Sequence, residues 1–206
     1  MSESFRTLAS EASGVYTEKK SVFTGIGRSA NSQEDALAFV QNMKKRFPEA
    51  RHVAYAFIID DNLFRVSDAG EPSGTAGKPI LEMLKRHNLT RCVIAVARDF
   101  GGTLLGAGGL TRAYGQAAKL AVDACGIAVM ERTNRVSFRV PYPLWDTIRH
   151  RLSLLPCEIA DTQYTDAVSA AVRVRASDAE QIAVMLSEAS AGQIKANIVS
   201  VQFEAW

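Results

Sequence analysis

The chain contains 206 residues, of which 47% are hydrophobic and 22% are charged, a composition typical of a globular protein rather than a disordered, fibrous or disulfide-built one. Its formal net charge of +2 is too small to indicate a nucleic-acid-binding protein by itself. Residues 1–133 contain 17 basic and 14 acidic residues, whereas residues 134–206 contain 7 basic and 8 acidic ones. Any polyanion is therefore expected to bind the first part of the chain.

A strand and an amphipathic helix are the first predicted elements. Residues Val22–Ile26 have the composition of a strand. Asn31, followed three residues later by Glu34, resembles a capping box, and apolar residues then recur at spacings of three and four until Pro48 ends the helix. The pattern predicts a helix that packs on a sheet through Ala36, Val40, Met43 and Phe47.

A hairpin, a short helix and a central strand follow. Val53–Ile59 and Leu63–Ser67 flank the turn at residues 60–62, which predicts an antiparallel pair. A short helix fits Pro79–Arg86. Cys92–Ala97 is a continuous apolar run, the mark of a strand buried on both faces, so we expect it at the centre of the sheet.

A stripe of small residues predicts a helix that lies close against this sheet. Its members are spaced three and four residues apart, and Gly126 then ends the helix. The first domain is complete at this point. The stripe consists of Leu110, Ala113, Ala117, Ala121 and Ala124.

From Val136 the pattern restarts in the order βαββαβ, the ferredoxin-like arrangement. Residues Ile148 and Leu152 on the first helix, and Ile182 and Leu186 on the second, are expected to face the sheet, together with Met185. We place the boundary in the charge-rich stretch Glu131–Arg135, giving domains at 1–133 and 134–206. The predicted elements are Val136–Val140, Leu144–Leu155, Glu158–Tyr164, Val168–Val174, Asp178–Ala189 and Ile194–Phe203.

A loop rich in glycine and proline, Ser67–Pro79, precedes the short helix. Pro79 suits the first helical position because its fixed φ matches the helix and its missing N–H would have no partner there. Gly77 and Lys78 therefore lie at a helix N-terminus, where free N–H groups and the helix dipole favour an anion. The Walker phosphate-loop spacing fails, since Pro72 stands where glycine is needed and Pro79 replaces serine or threonine.

A second loop, Arg98–Arg112, connects the central strand to the small-residue helix. Its glycines would let a phosphate or a ligand backbone approach the amide groups closely, and its two arginines would supply bidentate donors. The dinucleotide-binding fingerprint is not met, because it requires glycine where Thr111 stands. The glycines concerned are Gly106, Gly108 and Gly109.

These loops allow three interpretations. They form one anion-binding surface, or their glycines merely permit tight turns and close packing, or they form an active site. In the last case Asp68 and Glu71 would act as bases or metal ligands and His52 as a proton carrier. An Asp-x-x-Glu pair in a loop commonly makes turn and cap hydrogen bonds, however, and a histidine at a strand end is commonly structural.

The remaining patterns concern location and cofactors. Cys92, Cys125 and Cys157 are odd in number, widely spaced and set in apolar stretches, which predicts reduced core thiols. Cysteines and histidines lack the spacing of a zinc site. No leader opens the chain, and no apolar run approaches the ~18 residues of a membrane span. We expect a cytoplasmic protein with no metal, no cofactor and no membrane partner.

The two loops carry specific motifs. Asp68–Pro72 reads Asp-Ala-Gly-Glu-Pro and Gly74–Pro79 reads Gly-Thr-Ala-Gly-Lys-Pro, while Arg98–Leu110 contains Arg-Asp-Phe-Gly-Gly and Leu-Gly-Ala-Gly-Gly-Leu. These stretches resemble the hallmark of the IMPACT family. The family usually has a second aspartate where Ala69 stands, which argues against metal binding, and an aromatic or aliphatic residue where Asp99 stands.

This resemblance implies both a fold and a role. The first domain is expected to be similar to small-subunit ribosomal proteins and to domain IV of elongation factor G, and the second to domain V of that factor. Eukaryotic relatives are regulators that compete for an activator of the stress-responsive initiation-factor kinase. Bacteria lack that pathway, so the resemblance implies an interaction with RNA, the ribosome or a translation-related protein, by analogy alone.

The leading hypothesis is therefore a non-enzymatic, translation-associated regulator that binds RNA, the ribosome or a translation factor. The alternative is an enzyme that acts on a phosphorylated or anionic small molecule, with Glu71 and Asp68 as acid and base groups and His52 as a weaker candidate. A pure protein-interaction module is a third possibility. The anion- or RNA-binding residues are expected to be Lys78, Arg98, Arg112, Gly77, Gly108 and Gly109.

Overall fold

The computed structural model describes residues 4–205, without the side chains of residues 200–202, and shows an α+β protein. The described residues divide into two compact units, one formed by Phe5–Val129 and the other by Ser4 with the chain from Met130 onward. The strands are β1 (Ser4–Leu8), β2 (Ala12–Glu18), β3 (Ser21–Ser29), β4 (His52–Ile58), β5 (Phe64–Ser67), β6 (Cys92–Asp99), β7 (Ile127–Val140), β8 (Cys157–Tyr164), β9 (Val168–Arg175) and β10 (Asn197–Ala205). The α-helices are α1 (Gln33–Arg46), α2 (Gly77–Arg86), α3 (Gly106–Cys125), α4 (Tyr142–Leu152) and α5 (Ala179–Ala189).

The first unit contains a sheet in the order β2-β3-β6-β4-β5, in which neighbouring strands are antiparallel. Strand β6 is central, as its apolar run predicts, and its residues Cys92–Arg98 are all buried. Alternate residues of β4 and β6 contact helices on opposite faces. Ala56 and Ile94 belong to the core beneath α2 and α3, whereas Phe57 and Val93 belong to the core beneath α1.

Helix α1 begins one residue later than the sequence predicts. Ser32 is the N-cap, and its hydroxyl accepts a hydrogen bond from the Asp35 amide at 3.1 Å. Asp35 in turn accepts from the amide of Asn31, so the capping pair is Ser32 with Asp35 and the expected pair of Asn31 with Glu34 is wrong. The pair of Ser32 and Asp35 thus satisfies two amides at the helix start, one through each side chain.

Helix α3 lies unusually close to the sheet, as its small-residue stripe predicts. Ala113, Ala117 and Ala121 are completely buried. A Cβ atom added to Gly25 on β3 would lie 2.7 Å from the carbonyl oxygen of Ala117, closer than atoms approach in real structures. Glycine on the strand and alanine on the helix thus determine how near the helix axis comes to the sheet.

The second unit has strand order β10-β7-β9-β8. This is the ferredoxin-like order that the βαββαβ pattern predicts. Residues on both helices are buried against the sheet, and Met185 is partly buried against the same core. Strand β7 runs without a break through residues 133 and 134, so the boundary between two separate domains remains a proposal. The buried helix residues are Ile148, Leu152, Ile182 and Leu186.

Strands β1 and β2 are not evident from the sequence pattern. Residues of β2 alternate between exposed and partly buried positions, and none is fully buried because β2 forms the edge of its sheet.

Cys92 and Cys125 are buried free thiols, and Cys157 is partly buried. Burial, with a smaller contribution from Cys125, raises the pKa of Cys92 to about 12. Among the described helices, none is long and apolar enough to cross a membrane.

Replacing Gly25 with alanine tests the close approach of α3. The added methyl group would meet the Ala117 carbonyl, so we expect the free energy of unfolding to fall by about 1 to 3 kcal/mol, as overpacked sites do. The control is Gly115→Ala within α3, where the nearest atom would be 3.8 Å away and helix propensity favours alanine. Urea unfolding measures both, and equal effects would contradict this account of the packing.

Candidate functional site

A buried cluster of three polar side chains ties the two glycine loops together. The Glu71 carboxylate accepts hydrogen bonds from Arg98 Nη1 at 2.8 Å and from the Tyr114 hydroxyl at 2.7 Å. The side chains of Glu71 and Arg98 are only 4% and 8% exposed, so the ion pair is shielded from water. Glu71 lies in the first loop, Arg98 at the end of β6 and Tyr114 in α3.

The three side chains of this cluster stabilise one another, and none of them would be stable in this buried position by itself. A buried charge is costly unless it is paired and hydrogen-bonded, and here each ion compensates the other. Burial and the hydrogen bond to Glu71 raise the pKa of Tyr114 well above its ordinary value, so the phenol remains a proton donor to Glu71. The sequence suggests Glu71 as an acid or base and Arg98 as an anion ligand; the structure places them in contact with each other.

Aromatic rings surround the Arg98 guanidinium. The centres of the Phe23 and Phe100 rings each lie 5.5 Å from its central carbon. Phe23 also packs edge to face against Tyr114, with the ring centres 5.1 Å apart. Within the described residues, the buried Nε atom of Arg98 has no hydrogen-bond partner. One donor of this side chain therefore remains unused by the protein.

Asp68 holds the first loop together. Its carboxylate accepts hydrogen bonds from the amides of Gly74, Ala76 and Gly77 at 2.8 to 3.0 Å. Burial alone would raise the pKa of Asp68, but the three amide hydrogen bonds outweigh it and the pKa lies below its ordinary value. Asp68 thus acts as the cap of α2, the role that loop carboxylates commonly take.

The cap corrects one expectation from the sequence. From the sequence alone, the first amides of α2 are expected to be free for an external anion. In the structure, the Ala76 and Gly77 amides already donate to Asp68. Gly77 is also held by packing, because an added Cβ would lie 2.9 Å from the backbone of Ser67. Lys78 is exposed beside this capped helix start. An external anion at α2 would have to displace Asp68.

His52 lies beside the cluster. It faces Arg98 across the pairing of β4 with β6, and it is partly buried. Its Nδ1 atom lies 2.8 Å from the Ala69 carbonyl oxygen. Because a carbonyl only accepts, Nδ1 carries the proton in this contact. The ring is therefore fixed in place by the first loop, and Asp68 and His52 hold that loop from two directions.

A cleft of about 460 Å³ opens above this cluster. Arg98 and Glu71 contribute to its lining, Arg51 and His52 line it at the start of β4, and the start of α3 forms another part. Apolar side chains from the second loop complete it. Phe100 is 52% exposed and Leu104 is 84% exposed, and the two lie together in the lining of the cleft. The cleft thus combines a polar lining with apolar groups that face solvent.

The start of α3 differs from that of α2. Neither N-cap residue, Ala76 or Leu105, caps its helix with its own side chain; Asp68 accepts from the first amides of α2, whereas no side chain among the described residues accepts from those of α3. Gly106, Ala107 and Gly108 are exposed, and Gly106 has a φ of +69°, in the region that favours glycine. A Cβ added to Gly108 would contact no protein atom within 4 Å, so packing does not require glycine there. Gly109 faces only Leu105, 3.0 Å from an added Cβ.

Several exposed cations border the same end of the sheet. Lys19 and Lys20 form the turn between β2 and β3, and this turn contacts the second loop through a 3.0 Å hydrogen bond from the Gly101 amide to Ser21. Arg112 follows the glycines of α3. Among the described residues, Lys19, Lys20, Arg51, Lys78 and Arg112 are exposed and form no ion pair; we call this set the basic rim.

Part of this site lies beyond the reach of sequence reasoning. The sequence assigns no role to Tyr114, although a tyrosine in a stripe of alanines signals a hydroxyl that needs a buried partner. Phe100 and Leu104 look like ordinary loop residues, and nothing in the pattern distinguishes Arg51 or Lys19. The one sequence signal for Phe100 and Leu104 as site residues is that two large apolar side chains lie in the same glycine-rich loop.

Comparisons with known proteins match this architecture. Residues 19–122 match the Impact N-terminal domain and residues 138–193 match a domain of unknown function, DUF1949. An "IMPACT family member in pol 5'region" of Thermus thermophilus is 38% identical over 76% of this chain and 85% of its own length. "IMPACT family member YvyE" of Bacillus subtilis is 40% identical, over 55% of this chain and 52% of its own length. A solved structure described as "Crystal structure of an hypothetical protein" aligns with a TM-score of 0.64 and 28% identity, covering 97% of this chain and 99% of its own.

A double-mutant cycle tests the buried ion pair. Glu71→Gln should lower the free energy of unfolding by about 3 to 5 kcal/mol, because it leaves the Arg98 charge buried without its counter-ion. Adding Arg98→Met should restore part of that loss, since the double variant buries no charge. Denaturant unfolding of the four proteins gives the coupling, and additive losses would contradict a shielded pair.

Asp68→Asn tests the cap of α2 and its pH dependence. At neutral pH we expect a loss of about 1 to 2 kcal/mol, the range for a lost capping group. The pKa of Asp68 is lower in the folded protein, so its contribution is complete above the ordinary Asp value of about 4 and declines as the pH falls below that value. The difference between unmodified protein and variant should therefore shrink on acidification. Asp61→Asn, an exposed control, should change little at any pH.

Proposed function

The chain belongs to the IMPACT family, and on that premise we propose that it is a non-enzymatic, translation-associated protein that binds RNA or the ribosome. The proposed contact surface comprises the basic rim and the uncapped start of α3. Both belong to the unit Phe5–Val129. The observation that carries the proposal is the set of exposed cations without ion pairs beside the glycine-rich loops.

The charges of the rim favour a polyanion. A lysine or arginine that is not neutralised within the protein is available to a phosphate and releases a counter-ion when it binds. Five such residues border one end of the sheet, while the nearby acids Asp68 and Glu71 are occupied by internal hydrogen bonds. Exposed Asp99 lies among them and reduces the net charge, so we expect moderate affinity and strong salt dependence.

The second loop supplies a further feature for RNA. Phe100 and Leu104 expose large apolar surfaces beside the rim. Unpaired bases stack on aromatic side chains, and single-stranded RNA presents such bases together with phosphates. This combination favours single-stranded or looped RNA over a regular duplex, whose bases are not free to stack.

The same geometry disfavours the enzyme alternative. A general base must reach the reacting proton in a suitable protonation state. Glu71 accepts two hydrogen bonds within a buried ion pair, and Asp68 accepts hydrogen bonds from three backbone amides. The Nδ1 atom of His52 is bound to the carbonyl oxygen of Ala69. Each candidate therefore has a structural task. Arg98 is likewise paired, so of the three predicted cations we retain the exposed Lys78 and Arg112 as phosphate ligands, together with the rest of the basic rim. Gly77 is left out because it donates to Asp68.

Salt-dependent RNA binding tests the proposal. Lys20→Ala, Lys78→Ala and Arg112→Ala should each weaken affinity and reduce the slope of log affinity against log salt by about 0.7 to 0.9 for each phosphate that the variant no longer neutralises. The matched control is Lys45→Ala, at the end of α1 on the opposite face of the sheet. Fluorescence anisotropy with single-stranded fragments of ribosomal RNA at several salt concentrations gives the slopes.

Two results would overturn RNA as the ligand. Undetectable binding by the unmodified protein would do so, as would binding that does not respond to salt. Arg98→Ala is unsuitable for this test, because it removes the partner of buried Glu71 and would destabilise the fold. If RNA fails, an acidic translation-related protein remains the candidate for the same cations, and co-purification with ribosomal subunits separates the two.

A further inference from the structure

We propose that the cleft above the Glu71–Arg98 pair binds a nucleoside 5′-monophosphate, with the phosphate on the first amides of α3 and the base beside Phe100. This inference deepens the proposed function, on which the choice of a nucleotide rests. The cleft shares Arg51 and the start of α3 with the proposed surface but not Lys20, Lys78 or Arg112, so different variants and probes test the two. Three features of the cleft support it: the helix start, the buried arginine and the apolar side chains.

The start of α3 offers unused donors. The first N–H groups of any α-helix have no acceptor within the helix, and together with the helix dipole they favour an anion. In α2 the corresponding groups at Ala76 and Gly77 are occupied by Asp68. Helix α3 has 20 residues and no side-chain cap, and Gly106 and Ala107 line the cleft. Of these two helix starts, α3 is the one open to an external anion.

Arg98 is the second, independent indication of a ligand. Its side chain is more than nine-tenths buried and lines the same cleft as Gly106 and Ala107. Nη1 is bound to Glu71, whereas Nε has no partner among the described residues. A buried donor without an acceptor lowers the stability of the protein. Nη2 also forms no hydrogen bond among the described residues and, unlike Nε, is not closed off from solvent, so an oxygen acceptor that enters the cleft next to the Phe100 ring would bind at Nη2.

The charge of the cleft suits a phosphomonoester. Glu71 neutralises Arg98, and the remaining full positive charge on the lining is that of exposed Arg51. The dipole of α3 adds a partial positive charge at the helix start. A terminal phosphate carries a charge of about −1.5 to −2 at neutral pH and three acceptor oxygens, which matches one cation and several amide donors.

The apolar side chains indicate that the ligand is more than inorganic phosphate. Phe100, Leu104, Leu105 and Leu110 line the cleft beside the polar groups. The volume of about 460 Å³ lies within the range of small-molecule sites, roughly 300 to 1,000 Å³. A base stacked near Phe100 would cover apolar surface that is otherwise exposed. A nucleoside 5′-monophosphate supplies both parts, either as a free nucleotide or as the 5′ end of an RNA.

Binding of AMP to the intact chain tests the site. Calorimetry should show that AMP binds more tightly than adenosine or inorganic phosphate, since each of these probes contacts only half of the cleft. Ala107→Glu places a carboxylate at the start of α3, where it suits the helix but repels a phosphate. It should weaken AMP binding by about tenfold or more while leaving the unfolding midpoint unchanged or higher.

A matched control places the same charge elsewhere on α3. Gln116→Glu, on an exposed position outside the first turn, should bind AMP as the unmodified protein does. Loss of AMP binding in Ala107→Glu but not in Gln116→Glu supports the site. The inference is overturned if AMP does not bind, if Ala107→Glu binds it normally, or if adenosine binds as tightly as AMP.

RNA ends separate this inference from the proposed function. If an RNA end is the source, a short single-stranded RNA with a 5′-phosphate should bind more tightly than the same RNA with a 5′-hydroxyl, and Ala107→Glu should remove the difference. Salt-dependent binding of the 5′-hydroxyl RNA without any AMP binding would sink the cleft site and leave the rim intact. AMP binding without any RNA binding would assign the cleft to a free nucleotide and reject the rim as an RNA surface.

Discussion

The buried contact of Glu71 with Arg98 and Tyr114 is the constraint on which the rest of the site depends. It joins the first loop, the central strand and α3 through side chains that are almost entirely buried. Because breaking such a pair costs several kcal/mol, the two glycine loops cannot move independently of one another. The strongest charges of the motif are thereby committed to structure, and backbone amides and rim cations are left for a ligand.

Close packing then determines where the ligand donors lie. Gly25 and Ala117 let α3 approach the sheet at van der Waals distance, and the hydrogen bond of Tyr114 to Glu71 restricts movement of the helix along its own axis. The first amides of α3 are consequently held over the end of β6 without a side-chain cap of their own. Preorganised donors of this kind lose little entropy when an anion binds.

The fold is predictable from local pattern, whereas the site is predictable only in outline. The apolar run of β6, the alanine stripe of α3 and the βαββαβ order of the second unit are periodic features that the sequence displays directly. Partners such as Glu71 with Arg98 and Tyr114 are 27 and 43 residues apart, and no local rule links them. The positions of the glycine loops follow from turn chemistry, which is local. Which loop binds an internal carboxylate and which stays open to a ligand depends on tertiary contacts, and no local pattern predicts it.

The difference between α2 and α3 shows why a glycine loop at a helix start is insufficient to identify an anion site. Both starts are rich in glycine and lie near a cation, yet at α2 the anion is an internal carboxylate supplied by Asp68. A carboxylate eight or nine residues upstream has reached the amides of Ala76 and Gly77, and the sequence gives no sign of that reach. At α3 the residues before the helix are Thr103, Leu104 and Leu105, none of which is acidic, and no side chain caps it. An internal acid turns the start of α2 into structure, whereas the acid of the second loop, Asp99, is exposed and caps no helix amide among the described residues, so the start of α3 stays open to a ligand.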